Sequence, residues 1–160
     1  MSESEGLLYQ QPGATFRRRY RLSLIQEAEV PYDAELSACT DPQDALRFLN
    51  RVVDGYAQEV MGALYLDSRN RAIAHTIAFV GTLTRASVEP RQLLATGLLV
   101  NAAGLILFHN HPSGDPSPSA EDLAFTKRMA KAGEHVGIRL LDHLILGEGT
   151  HVSLRERGAW

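Results

Sequence analysis

The sequence has little cysteine and no long apolar run. Its single cysteine, Cys39, excludes an intrachain disulfide and a zinc cluster built on several thiolates. This agrees with a reducing compartment, and we expect a cytoplasmic protein. No apolar stretch approaches the roughly 20 residues that cross a bilayer, and the acidic N-terminus lacks the basic start of a signal peptide. The sequence therefore predicts a protein that makes no contact with membranes.

Positive charge is also not in excess, since the formal net charge is −3. The chain therefore has no global electrostatic attraction to nucleic acid. One basic cluster departs from this average and consists of Arg17, Arg18, Arg19 and Arg21. Two interpretations of these arginines stay open: a solvated edge beside a strand, and a contact with nucleic-acid phosphates.

A chain of 160 residues is long enough for one domain with its own core. We predict a flexible tail over residues 1–18 and a folded domain over residues 19–160. Asp41, Pro90 and Ser119 mark helix starts, and the helix after Pro90 carries Leu93, Leu94, Leu98 and Leu99. Strands are predicted over 20–25, 60–66, 72–80, 105–109, 138–146 and 150–154. The alternation of strands and helices from 72 to 146 predicts an α/β fold with a mixed, twisted sheet flanked by helices.

The candidate metal ligands of the sequence begin where an apolar strand ends in His109 and His111. Alternate residues of a strand face the same way, so the two imidazoles can point to one side. A loop rich in proline and serine follows, and Ser119-x-x-Asp122 opens the next helix. That pattern is typical of a capping box, which would also fix the direction of the Asp122 carboxylate. Two histidines and a carboxylate are ligands that Zn²⁺ prefers, and three protein ligands leave a position for water.

Other metal-dependent motifs do not fit these residues. In the HNH nuclease motif the three letters are spread over a ββα unit, whereas His109, Asn110 and His111 are adjacent. The HExxH pattern of zinc-protease helices is also absent from the sequence. The spacing His109-x-His111-Pro112, six residues, Ser119-x-x-Asp122 instead resembles the JAMM motif of MPN-type metalloproteases.

The surrounding sequence resembles the JAB domain of RadC-like proteins over residues 20–158, most specifically over 101–122. The matching segments are Gly81-Thr-Leu-Thr-Arg-Ala-Ser-Val, Asn101-Ala-Ala-Gly-Leu-Ile-Leu-Phe-His-Asn-His-Pro-Ser-Gly-Asp-Pro-Ser-Pro-Ser and Leu140-Leu-Asp-His-Leu-Ile-Leu-Gly. The resemblance implies a cytidine-deaminase-like JAB/MPN fold and an association with DNA repair. Many RadC proteins carry an N-terminal helix-hairpin-helix region, and we expect this chain to lack it.

The resemblance also implies roles for individual residues. It implies Zn²⁺ held by His109, His111 and Asp122, with Ser119 binding the water or the oxyanion of the reaction. An upstream glutamate serves such sites as general base, and Glu59 matches it in position and strand context, with Glu89 and Glu121 as alternatives.

Asp142 and His143 are adjacent on a predicted strand, so at most one of them faces this site. That residue either orients a ligand histidine or makes a purely structural hydrogen bond.

These patterns favour a zinc metallopeptidase that cleaves a peptide or isopeptide bond in a peptide or protein substrate. A DNA-binding or DNA-processing metal protein is the first alternative, supported by the arginines at positions 17–21. A non-catalytic interaction module is the second. The sequence does not predict an oligomeric state.

Overall fold

A computed structural model describes residues 38–81 and 88–160 of the chain. The predicted tail over 1–18, the domain start at 19 and the strand over 20–25 lie outside these residues. So do the four arginines proposed to contact nucleic acid, namely Arg17, Arg18, Arg19 and Arg21. In the part of the chain that is described, no helix is long and apolar enough to span a bilayer.

The described residues form a five-stranded sheet flanked by three helices. In chain order the elements are α1 (Pro42–Val53), β1 (Glu59–Leu66), β2 (Ala72–Gly81), α2 (Pro90–Leu99), β3 (Gly104–Asn110), α3 (Ala120–Val136), β4 (Arg139–Leu146) and β5 (His151–Ser153). The strand order is β2-β1-β3-β4-β5, with β3 and β4 parallel and all other neighbours antiparallel. The predicted α/β class and mixed sheet are confirmed.

The first helix begins where the sequence places it. The Asp41 carboxylate accepts a hydrogen bond of 2.6 Å from the backbone N–H of Gln43, and Pro42 occupies the first helical position. The Asp44 carboxylate accepts from the backbone N–H of Asp41 and completes a capping box. These bonds satisfy donors that a helix start otherwise leaves unpaired, so the local sequence is sufficient to define the start of α1.

The sheet separates two apolar layers because alternate side chains of each strand face opposite ways. One layer packs on α1 and includes Leu64, Leu66, Ile106, Phe108 and Leu144. The other layer packs on α2 and α3 and includes Ala63, Tyr65, Leu105, Leu107 and Met129. Along β3 this alternation continues to its end, so His109 lies on the same side as Leu105 and Leu107, facing α3.

Of the four leucines on α2, Leu93 and Leu94 are buried, whereas Leu98 and Leu99 are 57% and 41% exposed. The packed face of α2 instead contains Gly97. A Cβ on Gly97 would lie 3.3 Å from Cε1 of Tyr65 and 3.0 Å from Cδ1 of Ile138. The helix therefore approaches the sheet along Gly97, and the two leucines that follow rotate away from the core.

Candidate metal centre

Two histidines and one carboxylate meet where β3 ends and α3 begins. The Nε2 atoms of His109 and His111 lie 2.9 Å apart. The Asp122 carboxylate approaches both, with Oδ1 3.4 Å from Nε2 of His109 and Oδ2 3.8 Å from Nε2 of His111. His109 is fully buried and Asp122 is 7% exposed, whereas His111 lies partly open to solvent. The structure thus brings together the three residues that the sequence proposes as metal ligands.

A chain of hydrogen bonds behind His109 defines which of its nitrogens carries a proton. The Thr126 hydroxyl lies 2.6 Å from the backbone oxygen of Asp122, and a carbonyl can only accept, so Thr126 donates there. The same hydroxyl lies 2.6 Å from Nδ1 of His143. Because its one proton is already used, Thr126 accepts from His143, whose proton is therefore on Nδ1.

The same reasoning extends outward to the site. Neutral His143 has a lone pair on Nε2, which lies 2.8 Å from Nδ1 of His109. His109 therefore donates from Nδ1, so in the neutral ring its Nε2 has a lone pair facing the site. His111 donates from Nδ1 to the backbone oxygen of Asp115 at 2.7 Å, which leaves its Nε2 with a lone pair as well.

With both Nδ1 atoms already donating, the two Nε2 atoms 2.9 Å apart need a cation between them, which is either a proton or a metal ion. When both rings are neutral, Nε2 of His109, Nε2 of His111 and the carboxylate of Asp122 offer a metal ion two imidazole nitrogens and one anion. Zn²⁺ takes such ligands, and histidine ligands commonly donate their second ring N–H to a protein acceptor, as both do here. The residues present therefore fit a zinc ion.

The charge states of the surrounding groups suit a cation. Burial alone would raise the pKa of the Asp122 carboxyl, but interaction with His109 and hydrogen bonds from Ser119 outweigh it, and the pKa is well below its ordinary value. Asp122 is thus an anion despite its burial. Burial holds the pKa of His143 well below its ordinary value, and the nearby His109 lowers it further. His143 is therefore neutral, as the hydrogen-bond chain requires.

Ser119 orients Asp122 through a complete capping box. Its backbone N–H and its hydroxyl each donate to Oδ2 of Asp122 at 2.7 Å, and its Oγ accepts from the backbone N–H of Asp122 at 3.1 Å. The hydroxyl proton is therefore committed to Asp122 in this structure. The role of Ser119 toward a water or an oxyanion stays a prediction that requires this hydroxyl to turn.

Glu59 is the first residue of β1 and lies beside the two histidines. One carboxylate oxygen of Glu59 and one nitrogen from each of His109 and His111 all lie within 4.8 Å of one another. Glu59 also lines an open cleft of about 520 Å³ at the site. The other lining residues are His111, Pro112, Ser113, Ser119, Glu121 and Asp122. The position of Glu59 suits either a general base or a further ligand.

The other two acids weighed from the sequence lie in different settings. The backbone N–H of Glu89 donates to the Gln92 side chain at 2.7 Å, as part of the capping structure that begins α2. Glu121 lines the cleft from the first turn of α3. Of the two, only Glu121 shares the cleft with His111.

Asp142 and His143 are adjacent on β4 and face opposite sides of the sheet. His143 faces His109, whereas Asp142 faces the other way and accepts hydrogen bonds from the Ser153 hydroxyl and the backbone N–H of Arg155. Asp142 thereby fastens the C-terminal turn to β4. His143 is in contact with a proposed ligand, and Asp142 is in contact with the turn.

Sequence reasoning missed two residues at this site, Thr126 and Asn110. Thr126 is a fully buried polar residue one helical turn after Asp122, and the spacing i, i+4 could have indicated that they share a face. Asn110 bonds to the start of β1 through its side chain. Its signal was a polar residue closing a buried strand between two histidines.

Comparison with known proteins gives one family. A profile described as the RadC-like JAB domain matches residues 39–159. A UPF0758 protein of Shouchella clausii is 44% identical over 119 residues, which are 74% of this chain and 52% of that protein. UPF0758 proteins of Xanthomonas euvesicatoria and Xanthomonas oryzae are 43% and 47% identical, over 88% of this chain and 59% of theirs. The chain thus spans a little over half the length of these curated relatives.

Proposed function

The chain belongs to the RadC-like JAB domain family, and from this premise we propose that it is a zinc-dependent hydrolase that cleaves peptide or isopeptide bonds. One observation carries the proposal. The Nε2 atoms of His109 and His111, whose Nδ1 atoms are already used in hydrogen bonds, lie 2.9 Å apart beside the anionic carboxylate of Asp122. With its one cysteine buried, the protein is proposed to work in the cytoplasm.

His109, His111 and Asp122 are the proposed zinc ligands. Zn²⁺ bound by three protein ligands would lower the pKa of a water to about 7 and polarise the scissile carbonyl. The hydrogen bonds from Nδ1 of His109 to His143 and from Nδ1 of His111 to Asp115 keep both Nε2 atoms available for the ion.

Glu59 is the proposed general base. One of its carboxylate oxygens lies within 4.8 Å of a ring nitrogen of each histidine, so it would reach a water held beside these ligands. Glu59 takes a proton from the attacking water and passes it to the leaving amine, so the carboxylate regains its starting state. A rotation of the Ser119 hydroxyl away from Asp122 would supply a donor to the oxygen on which negative charge develops.

The surroundings of the site favour a protein substrate over a nucleic acid. The cleft is open to solvent, so a polymer chain can pass across the ligands. Its lining includes the carboxyl groups of Glu59, Glu121 and Asp122, which disfavour a polyanion. The DNA alternative rests on arginines outside the described residues, and a bare interaction module has no need for a converging donor set.

A cleavage assay tests this proposal. The zinc-loaded protein is incubated with a peptide library, with isopeptide-linked substrates, and with single- and double-stranded DNA. We expect cleavage of amide bonds by the wild type and a loss of about 100-fold or more in Glu59→Gln, which cannot accept the proton. Glu156→Gln, on an exposed residue of the C-terminal turn, is the matched control and should keep full activity.

Two outcomes would contradict the proposal. Full activity in Glu59→Gln would remove the general base from the mechanism. Cleavage confined to DNA would show that the same site acts on phosphodiesters.

A further inference from the structure

The residue between the two histidines is bound to the strand that carries Glu59. The side-chain oxygen of Asn110 accepts a hydrogen bond of 2.6 Å from the backbone N–H of Val60, and its side-chain amide donates to the backbone oxygen of Gln58 at 3.3 Å. Gln58 and Val60 are the two neighbours of Glu59. One side chain thus holds the main chain on both sides of the proposed base.

The two hydrogen bonds of Asn110 lie just beyond the last backbone pair between β1 and β3. The pairing runs antiparallel from Leu66 with Gly104 to Met61 with His109. The same register would set Val60 opposite Asn110 and Glu59 opposite His111, but no backbone pair is formed there. The side chain of Asn110 therefore extends the contact between the two strands by the two residues that bring Glu59 to the site.

Resting on the proposed function, we propose that Asn110 is a positioning residue for Glu59. It touches neither the ligand nitrogens nor the cleft, and it acts by holding the start of β1 in register with β3. Without it, Glu59 would still be tied to β2, where it pairs with Gly81, but its distance to the histidines would no longer be defined from the β3 side. The ligands His109, His111 and Asp122 are held by other bonds, so the metal affinity should not depend on Asn110.

The first experiment tests whether the side chain of Asn110 holds the start of β1. Backbone hydrogen exchange is compared in Asn110→Ala and in Asn50→Ala, an identical change on the exposed face of α1. In Asn110→Ala we expect on the order of tenfold faster exchange at Val60, with no change at Ala63 or Leu64 further along β1. Unchanged exchange at Val60 would overturn the proposal.

The second experiment tests whether Asn110 affects the metal site through Glu59. The full chain is loaded with Co²⁺, and its visible absorption is followed against pH in wild type, Asn110→Ala, Glu59→Gln and the double variant. We expect Asn110→Ala to move the pH midpoint of the absorption change in the same direction as Glu59→Gln. The Co²⁺ affinity should change by less than about threefold because the ligands are intact. In the Glu59→Gln background, Asn110→Ala should add nothing.

The outcomes separate this inference from the proposed function. A midpoint that moves in Glu59→Gln but not in Asn110→Ala, or an equal effect of Asn110→Ala in both backgrounds, would overturn the role of Asn110 alone. A midpoint that does not move in Glu59→Gln would overturn the proposed base and the role of Asn110 with it. Failure of the wild type to bind Co²⁺ would overturn the metal centre itself, and both roles with it.

Discussion

Thr126 is separated from the proposed ligand His109 by two hydrogen bonds through His143, yet replacing it should weaken zinc binding. Its hydroxyl oxygen accepts a hydrogen bond from Nδ1–H of His143, which leaves Nε2 of His143 to accept from His109. Valine has nearly the same shape as threonine but accepts no hydrogen bond. In Thr126→Val the form of His143 that accepts from His109 loses a buried partner, and the opposite form places a proton on Nε2 of His109, where zinc must bind.

The size of the effect follows from the burial of this hydrogen-bond chain. Thr126 and His143 are both 0% exposed, so water cannot replace the lost acceptor. One lost hydrogen bond of about 1.4 kcal/mol corresponds to a tenfold weaker zinc affinity, at the low end of the effects of changing outer partners of histidine ligands. Thr126→Ser keeps the hydroxyl and loses one methyl group, so its affinity should stay within about twofold of the wild type.

Competition with a chromophoric chelator near neutral pH measures these affinities. Thermal unfolding of the metal-free proteins, measured alongside, separates a loss of stability from a loss of metal binding. If Thr126→Val binds zinc as tightly as Thr126→Ser, then the hydrogen-bond chain does not determine which nitrogen of His109 is protonated, and the reasoning about the site is refuted.

Three further predictions concern stability, measured by urea unfolding of the metal-free protein. Ser119→Ala should lower the free energy of unfolding by about 1 kcal/mol because α3 loses its N-cap, and an unchanged value would contradict the capping role. Tyr65→Phe should cost about 1 kcal/mol because the buried hydroxyl donates to the backbone oxygen of Leu93 at 2.8 Å, and no loss would mean that this bond does not stabilise the fold. The third concerns pH. Burial lowers the pKa of His143, so the folded protein favours the neutral ring; the contribution of this ring to the free energy of unfolding is fully present above about pH 6.5 and is lost as pH falls below that value. His143→Phe should flatten this decline, and an equally steep decline would assign it to other groups.

Local sequence signals predicted most of the elements but not their arrangement. The Asp41-Pro42 start of α1 and the Ser119 start of α3 are determined by bonds within one turn, so the sequence alone predicts them. The place of β1 between β2 and β3 depends on contacts between distant segments, which no local pattern encodes.

The candidate site shows the same limit. The spacing of His109, His111 and Asp122 was visible because each lies at the end or start of an element. The contact of His143 with His109 depends on the parallel register of β3 and β4, in which Leu107 pairs with His143. Thr126 joins this contact only once α3 packs against β4, so its role could not be inferred before the packing was known.

The most direct test of the account is the metal content of the protein purified without added zinc. We predict about one Zn²⁺ per chain, lost in His109→Ala and in His111→Ala. The matched control is His135→Ala, which changes an exposed histidine on α3 and should keep the metal. A wild-type protein without zinc near neutral pH, or zinc that is retained equally in His109→Ala and His135→Ala, would contradict the proposed metal centre.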